Sequence, residues 1–105
     1  MIQHIVLFKI ASSATAEQIS HMDRSLAALC QSIDGLLSYS GGPNNSPEQI
    51  ERGYNFGFVM SFTDREARDN YLPHPEHEKV KQIIGGLLLD TEDNVLVYDY
   101  EFQDS

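Results

Sequence analysis

One cysteine, Cys30, stands in 105 residues. A lone thiol excludes an intrachain disulfide and any thiolate metal cluster within one chain. Nothing at the amino terminus has the pattern of a secretory signal, and together these point to a reducing, cytoplasmic location. Cations are scarce too: seven Lys and Arg face sixteen Asp and Glu, for a net charge of −9. Scattered as they are, they make no basic track for a phosphate backbone, so no nucleic-acid partner is expected. The same field repels anionic membranes and admits anionic ligands only through a local exception. The longest apolar run, around Leu87–Leu89, is far too short to span a bilayer. No repeat or low-complexity tract is present.

What is there is the composition of a globular protein, 41% hydrophobic, 22% charged and 10% aromatic. The length suits one domain over residues 1–105. A chain this short buries only about 60–70% of its unfolded surface, so pairing with a second copy would help it.

In MIQHIVLFKI, Ile2, His4, Val6, Phe8 and Ile10 share one face while Ile5 and Leu7 share the other. Period two with apolar residues on both sides predicts a strand covered on both faces. Thr15 opens a helix as a capping box with Gln18, and Ile19, Met22, Leu26, Leu29 and Ile33 follow in one stripe up to Asp34-Gly35. LLSYS at 36–40 reads as a second strand, and GGPNNSPEQIERG as a loop with a helical turn at 46–48. YNFGFVMSF at 54–62 is the clearest strand, with Tyr54, Phe56, Phe58, Met60 and Phe62 on one face. Asp64 caps a short helix to about Tyr71, Pro73 and Pro75 stop it, and a second helix runs from Pro75 or Glu76 to Gly85-Gly86. NVLVYDYEF at 94–102 is the last strand.

The order βαββαβ, with its second helix broken, predicts an α+β, ferredoxin-like fold with a four-stranded antiparallel sheet. Helices cover one face of such a sheet. The other face holds Ile5, Leu7 and Val59, with Leu96, Tyr98, Tyr100 and Phe102 if the last strand keeps register, and is too apolar to stay wet. Two copies packed sheet on sheet as a homodimeric α/β barrel would cover it.

The segment NYLPHPEHEKV at 70–80 carries the chemistry. In a helix starting at Pro75, His77 shares a face with Val80 and Ile84 and points inward, while Glu76, Glu78, Lys79 and Lys81 look outward. Tyr71, four residues after Ala67, faces inward from the preceding helix. The prolines then aim Tyr71 and His77 into one space near His4 of the first strand. A neutral imidazole takes a proton near neutral pH, and a phenol donates to a developing oxyanion. The plainer reading is that an inward histidine beside a tyrosine satisfies a hydrogen bond, and that His74 caps the restarted helix. The two histidines of H-P-E-H, three apart, are the one metal-like spacing, but no third ligand stands near them. No metal and no cofactor is expected.

H-I-V-L-F-K at 4–9, the loop 41–53, the strand at 53–62, Y-L-P-H-P-E-H at 71–77 and V-Y-D-Y at 97–100 together resemble the stress-responsive A/B barrel (Dabb) family across nearly the whole chain. That resemblance implies a ferredoxin-like fold dimerising into an α+β barrel. The family includes the plant olivetolic acid cyclase, which closes a linear polyketide. By that resemblance His77 is the general base, Tyr71 orients the proton or polarises a carbonyl, and His4 helps bind. Phe56 stands where the cyclase has a further pocket histidine.

Three functions are therefore carried forward. The first is a homodimeric stress-response-type protein binding a small, mostly apolar ligand between sheet and helices. Its walls would be His4, Phe8, Phe56, Phe58, Met60 and His74, around Tyr71 and His77. The second is a cofactor-independent cyclase or lyase that uses His77 and Tyr71 as catalytic residues. The third is a purely structural protein whose pocket is filled by its own side chains.

Overall fold

The computed structural model describes residues 1–103. Its elements are β1 (Ile2–Phe8), α1 (Ala16–Ser32), β2 (Leu36–Pro43), β3 (Phe56–Phe62), α2 (Arg65–Tyr71), α3 (Pro75–Gly85) and β4 (Val95–Glu101). The strands lie in the order β2-β3-β1-β4, every neighbouring pair antiparallel. This is the ferredoxin-like βαββαβ arrangement, with the two strands of each half separated by a helix.

Alternation in β1 and β3 sends one side chain in two under the helices. Register sets His4 opposite Met60, Val6 opposite Phe58 and Phe8 opposite Phe56. These residues are buried against Met22, Leu26 and Leu29 of α1 and Val80 and Ile84 of α3. The Thr15 hydroxyl accepts from the Gln18 amide at 3.1 Å and Gln18 Oε1 accepts from the Thr15 amide at 2.8 Å, which starts α1 where the capping box predicts. After α1, Gly35 has φ +82°, and a Cβ there would stand 2.5 Å from the Ala67 Cβ. Glycine both makes the left-handed exit and lets α2 approach.

Three boundaries differ from the sequence pattern. β2 continues through Gly41, Gly42 and Pro43, which pair with Phe58, Gly57 and Phe56. β2 is an edge strand, where a proline needs no partner for a missing N–H. At 46–48 the chain makes only an isolated turn, over residues 47 and 48, and no helix; Ser46 Oγ accepts from the Glu48 amide at 3.3 Å. β3 starts at Phe56 because Asn55 spends its side chain across the strand end, accepting from Ile10 N at 2.8 Å and donating to Ile10 O at 2.9 Å.

On the face away from the helices, Leu96 lies beside Leu7, Tyr98 beside Ile5 and Tyr100 beside Gln3. Leu96, Tyr98 and Tyr100 are exposed. β4 ends at Glu101, so Phe102 lies one residue past the strand, its amide donating to Met1 O at 2.9 Å. Among the described residues no helix is long and apolar enough to cross a membrane.

Candidate functional site

Asp64 starts α2 by accepting from the Ala67 amide at 2.9 Å. Leu72 is still helical, at φ −56° and ψ −46°, but His74 is extended, with ψ 135°. Leu72 stays helical although Pro73 follows it; the residue before Pro75, His74, is the one in the extended region that a following proline favours, and Pro75 then fits the first helical position of α3. His74 Nδ1 accepts from the Glu76 amide at 3.1 Å, so this ring is used as the helix cap.

The break brings Tyr71 and His77 face to face, with ring centroids 4.0 Å apart and planes at 22°. No hydrogen bond joins the two rings. His77 Nδ1 instead lies 3.0 Å from the Leu72 carbonyl oxygen. Only a protonated Nδ1 can donate there, which leaves the lone pair of the neutral ring on Nε2. Burial lowers the His77 pKa below the usual histidine value, so the ring is neutral at pH 7. Burial also raises the Tyr71 pKa, which keeps the side chain a phenol. The Tyr71 hydroxyl makes no hydrogen bond among the described residues, yet no buried side-chain polar atom is sealed without a partner. The Tyr71 side chain lines the space beside it.

That space is a pocket of about 380 Å³ between α3 and the β1–β4 half of the sheet. Val6, Phe8, Phe58, Leu26, Ile84, Leu88, Val95 and Val97 make its apolar walls, and His4, Tyr71, His77 and Lys81 supply its polar groups. His4 is 4% exposed. Its Nδ1 lies 2.7 Å from Asp99 Oδ1, while Asp99 Oδ2 accepts from Arg68 Nη1 at 2.8 Å. An imidazole whose Nδ1–H donates to a paired carboxylate is held in one ring orientation. The His4 ring meets Tyr71 edge-on at 5.8 Å, so phenol and both imidazoles form one continuous aromatic group.

Of the residues singled out from the sequence, His4, Phe8, Phe58, Tyr71 and His77 line this pocket. Met60 is fully buried opposite His4, and Phe56 borders a different hollow. That second hollow, about 560 Å³, lies between the start of α1 and the end of β2; its one ionisable group, Asp23, accepts from the Tyr39 hydroxyl at 2.5 Å. It is larger but holds no histidine and no candidate base other than that bonded carboxylate. Lys81, placed outward by helical spacing, lies on the rim of the first pocket. The sequence reading missed Asp99 and Arg68. Alternation along V-Y-D-Y puts Asp99 on the inner face, the one signal that could have found it. No group of three or more His, Cys, Asp or Glu among the described residues is placed to hold a metal ion.

Helix-covered antiparallel sheet, broken second helix and proline-set Tyr–His pair define a small ferredoxin-like barrel protein. The family model for the stress responsive A/B barrel domain matches residues 2–102, and the chain belongs to that family. It is 29% identical over 100 residues to the stress-response A/B barrel domain-containing protein HS1 of Arabidopsis thaliana, covering 95% of this chain and 88% of that one. A crystal structure of an Arabidopsis thaliana protein, 28% identical, superposes with a TM-score of 0.87 over 100% of this chain and 98% of the other. A dimeric ferredoxin-like protein of unknown function from Jannaschia sp. CCS1, 29% identical, superposes with a TM-score of 0.84 over 96% and 98%.

Proposed function

We propose that this protein is a homodimer that holds a small, mostly apolar ligand in the pocket between α3 and the sheet. One observation carries the reading: a hollow of about 380 Å³ with apolar walls ends in the stacked Tyr71–His77 pair and the buried His4. Small-molecule sites have this form, a mostly apolar cleft with a few converging polar groups, at volumes from about 300 Å³ upward. Open volume at that point favours a ligand over a space filled by the protein's own side chains.

The dimer is supported by the dimeric Jannaschia relative and by the shape of the uncovered face. Large side chains, Leu96, Tyr98 and Tyr100, stand along β4, whereas the β2–β3 half carries Ser38, Ser40, Gly42, Gly57 and Ser61 around a single larger residue, Val59, and is lower. A two-fold axis would set the ridge of each copy on the trough of the other. The single thiol and the absence of a basic track fit a cytoplasmic protein that does not engage nucleic acid.

A second reading, proton-transfer catalysis of the cyclase or lyase kind, is favoured by the tautomer of His77. Its Nε2 lone pair would take a proton from carbon next to a carbonyl. The electron pair would move onto the carbonyl oxygen, and the Tyr71 hydroxyl would donate to that oxygen as charge develops. His77 is then the base and Tyr71 the donor, with no direct proton relay between stacked faces.

The binding reading is tested by titrating the protein with a neutral apolar probe, 1-octanol, while following backbone amide shifts by NMR. Saturable shifts confined to Val6, Phe58, Tyr71, His77 and Val97 are expected, and Leu88→Trp, which fills the hollow, should abolish them. Shifts that never saturate, or that survive Leu88→Trp, would overturn it. Turnover of β-dicarbonyl compounds that disappears in both His77→Ala and Tyr71→Phe would establish the second reading.

A further inference from the structure

The geometry points to a carboxylate as the head group of the ligand, held at the pocket rim by Lys81 with its apolar tail inside. This inference rests on the reading above that the pocket takes a ligand, and names the class of that ligand.

In a chain with sixteen acidic and seven basic residues, a pocket wall would by chance carry carboxylates. Among the described residues none lines this one; its charged or chargeable groups there, besides the Tyr71 phenol, are His4, His77 and Lys81. Asp99, just behind His4, is taken up by His4 and Arg68. His77 and Lys81 are four residues apart on α3, so they stand one turn above the other on the same face. The ammonium is near enough to help hold the His77 pKa down, behind the larger effect of burial. The rim thus offers a cation from Lys81, with the stacked Tyr71–His77 pair below it, on one side of an apolar hollow. That is the complement of a short amphiphilic acid. The protein's acidic surface would repel such a ligand everywhere else, which makes this rim the local exception that an anionic ligand requires.

Lys81 is not idle in the empty protein. Its Nζ lies 2.7 Å from Glu78 Oε1, both side chains about half exposed, at 49% and 51%. Exposed pairs at this spacing are weak, so a ligand carboxylate can replace Glu78 at little cost. Its bond to the ammonium would be charge-assisted and sheltered on one side by the pocket walls.

The test compares three probes with one tail and different heads: octanoate, 1-octanol and octylamine, each followed by NMR amide shifts at His77, Lys81 and Val97. Octanoate is expected to bind at least about tenfold more tightly than octanol, and octylamine least well, in line with one charge-assisted bond. Lys81→Gln should remove the preference for the acid, bringing octanoate down to the affinity of octanol in the same variant. Glu78→Gln should tighten octanoate, and Lys79→Gln, whose ammonium is bound to Glu76 on the outer face, should change nothing. Equal binding of acid and alcohol in the unmodified protein, or a preference that survives Lys81→Gln, would overturn the carboxylate inference while leaving a ligand pocket standing. Saturable binding by none of the three would overturn both.

Discussion

Tyr71 and His77, six residues apart across Pro73 and Pro75, stack at 4.0 Å although they belong to different helices. The contact exists because His74 is extended and α3 leaves α2 at an angle. Tyr71 is also 1% exposed and packs on Phe62 at 5.1 Å, so its ring is a core element as well as a site element. Tyr71→Ala is expected to cost about 3–5 kcal/mol in urea unfolding, the range for removing a buried aromatic. Tyr71→Phe keeps the stack and should change stability by less than about 1 kcal/mol, since the hydroxyl makes no hydrogen bond among the described residues. A large loss in the Phe variant would mean that the hydroxyl has a structural bond.

The lowered pKa of His77 makes a pH prediction. The unfolded chain binds a proton at the ordinary histidine value of about 6.5, while the folded protein resists it. His77 therefore contributes stability that is fully present above about pH 6.5 and is lost as pH falls below it toward the folded pKa. Denaturant midpoints measured from pH 7.5 to 5 should fall, and His77→Gln should flatten that part of the slope. An imidazole NMR titration with a midpoint at or above about 6.5 would contradict the burial argument.

Asp99 joins His4 on β1 to Arg68 on α2. Asp99→Ala leaves a buried imidazole N–H without its acceptor, and a loss of about 1–3 kcal/mol is expected. Arg68 keeps a second partner in Asp69, so Arg68→Gln should cost less than Asp99→Ala. The reverse order in thermal or urea unfolding would show that the ion pair, not the buried histidine, matters most.

Tyr98→Asp and Leu96→Asp each put a charge on the uncovered sheet face without touching the core. Sedimentation should show a monomer or aggregates in place of the proposed dimer. A folded, unchanged dimer would place the interface elsewhere.

Gly35→Ala forces a non-glycine residue to φ +82° and brings its Cβ to 2.5 Å from Ala67 Cβ. Left-handed strain and overpacking together predict a loss of about 2–4 kcal/mol by chemical unfolding. Gly42→Ala meets open space on the other sheet face of the single chain and serves as the control, expected near neutral in the monomer.

Much of this could be read from the chain because it depends on neighbours along it. Alternation in I-Q-H-I-V-L-F located β1 and its inward residues, T-A-E-Q located the start of α1, and the two prolines located the break between α2 and α3. Those signals come from backbone sterics and hydrogen bonding over a few residues. The proline break was enough to predict that Tyr71 and His77 converge, but not that they meet by their faces.

Tertiary structure alone decided what lies around that pair. Asp99 is 95 residues from His4, and strand order brings β4 beside β1 so that the two meet. The same order puts Val95 and Val97 into the pocket. Local periodicity says which way a side chain points from its own element; which element it meets depends on how strands are ordered and registered, and that is settled only when the whole core is buried at once.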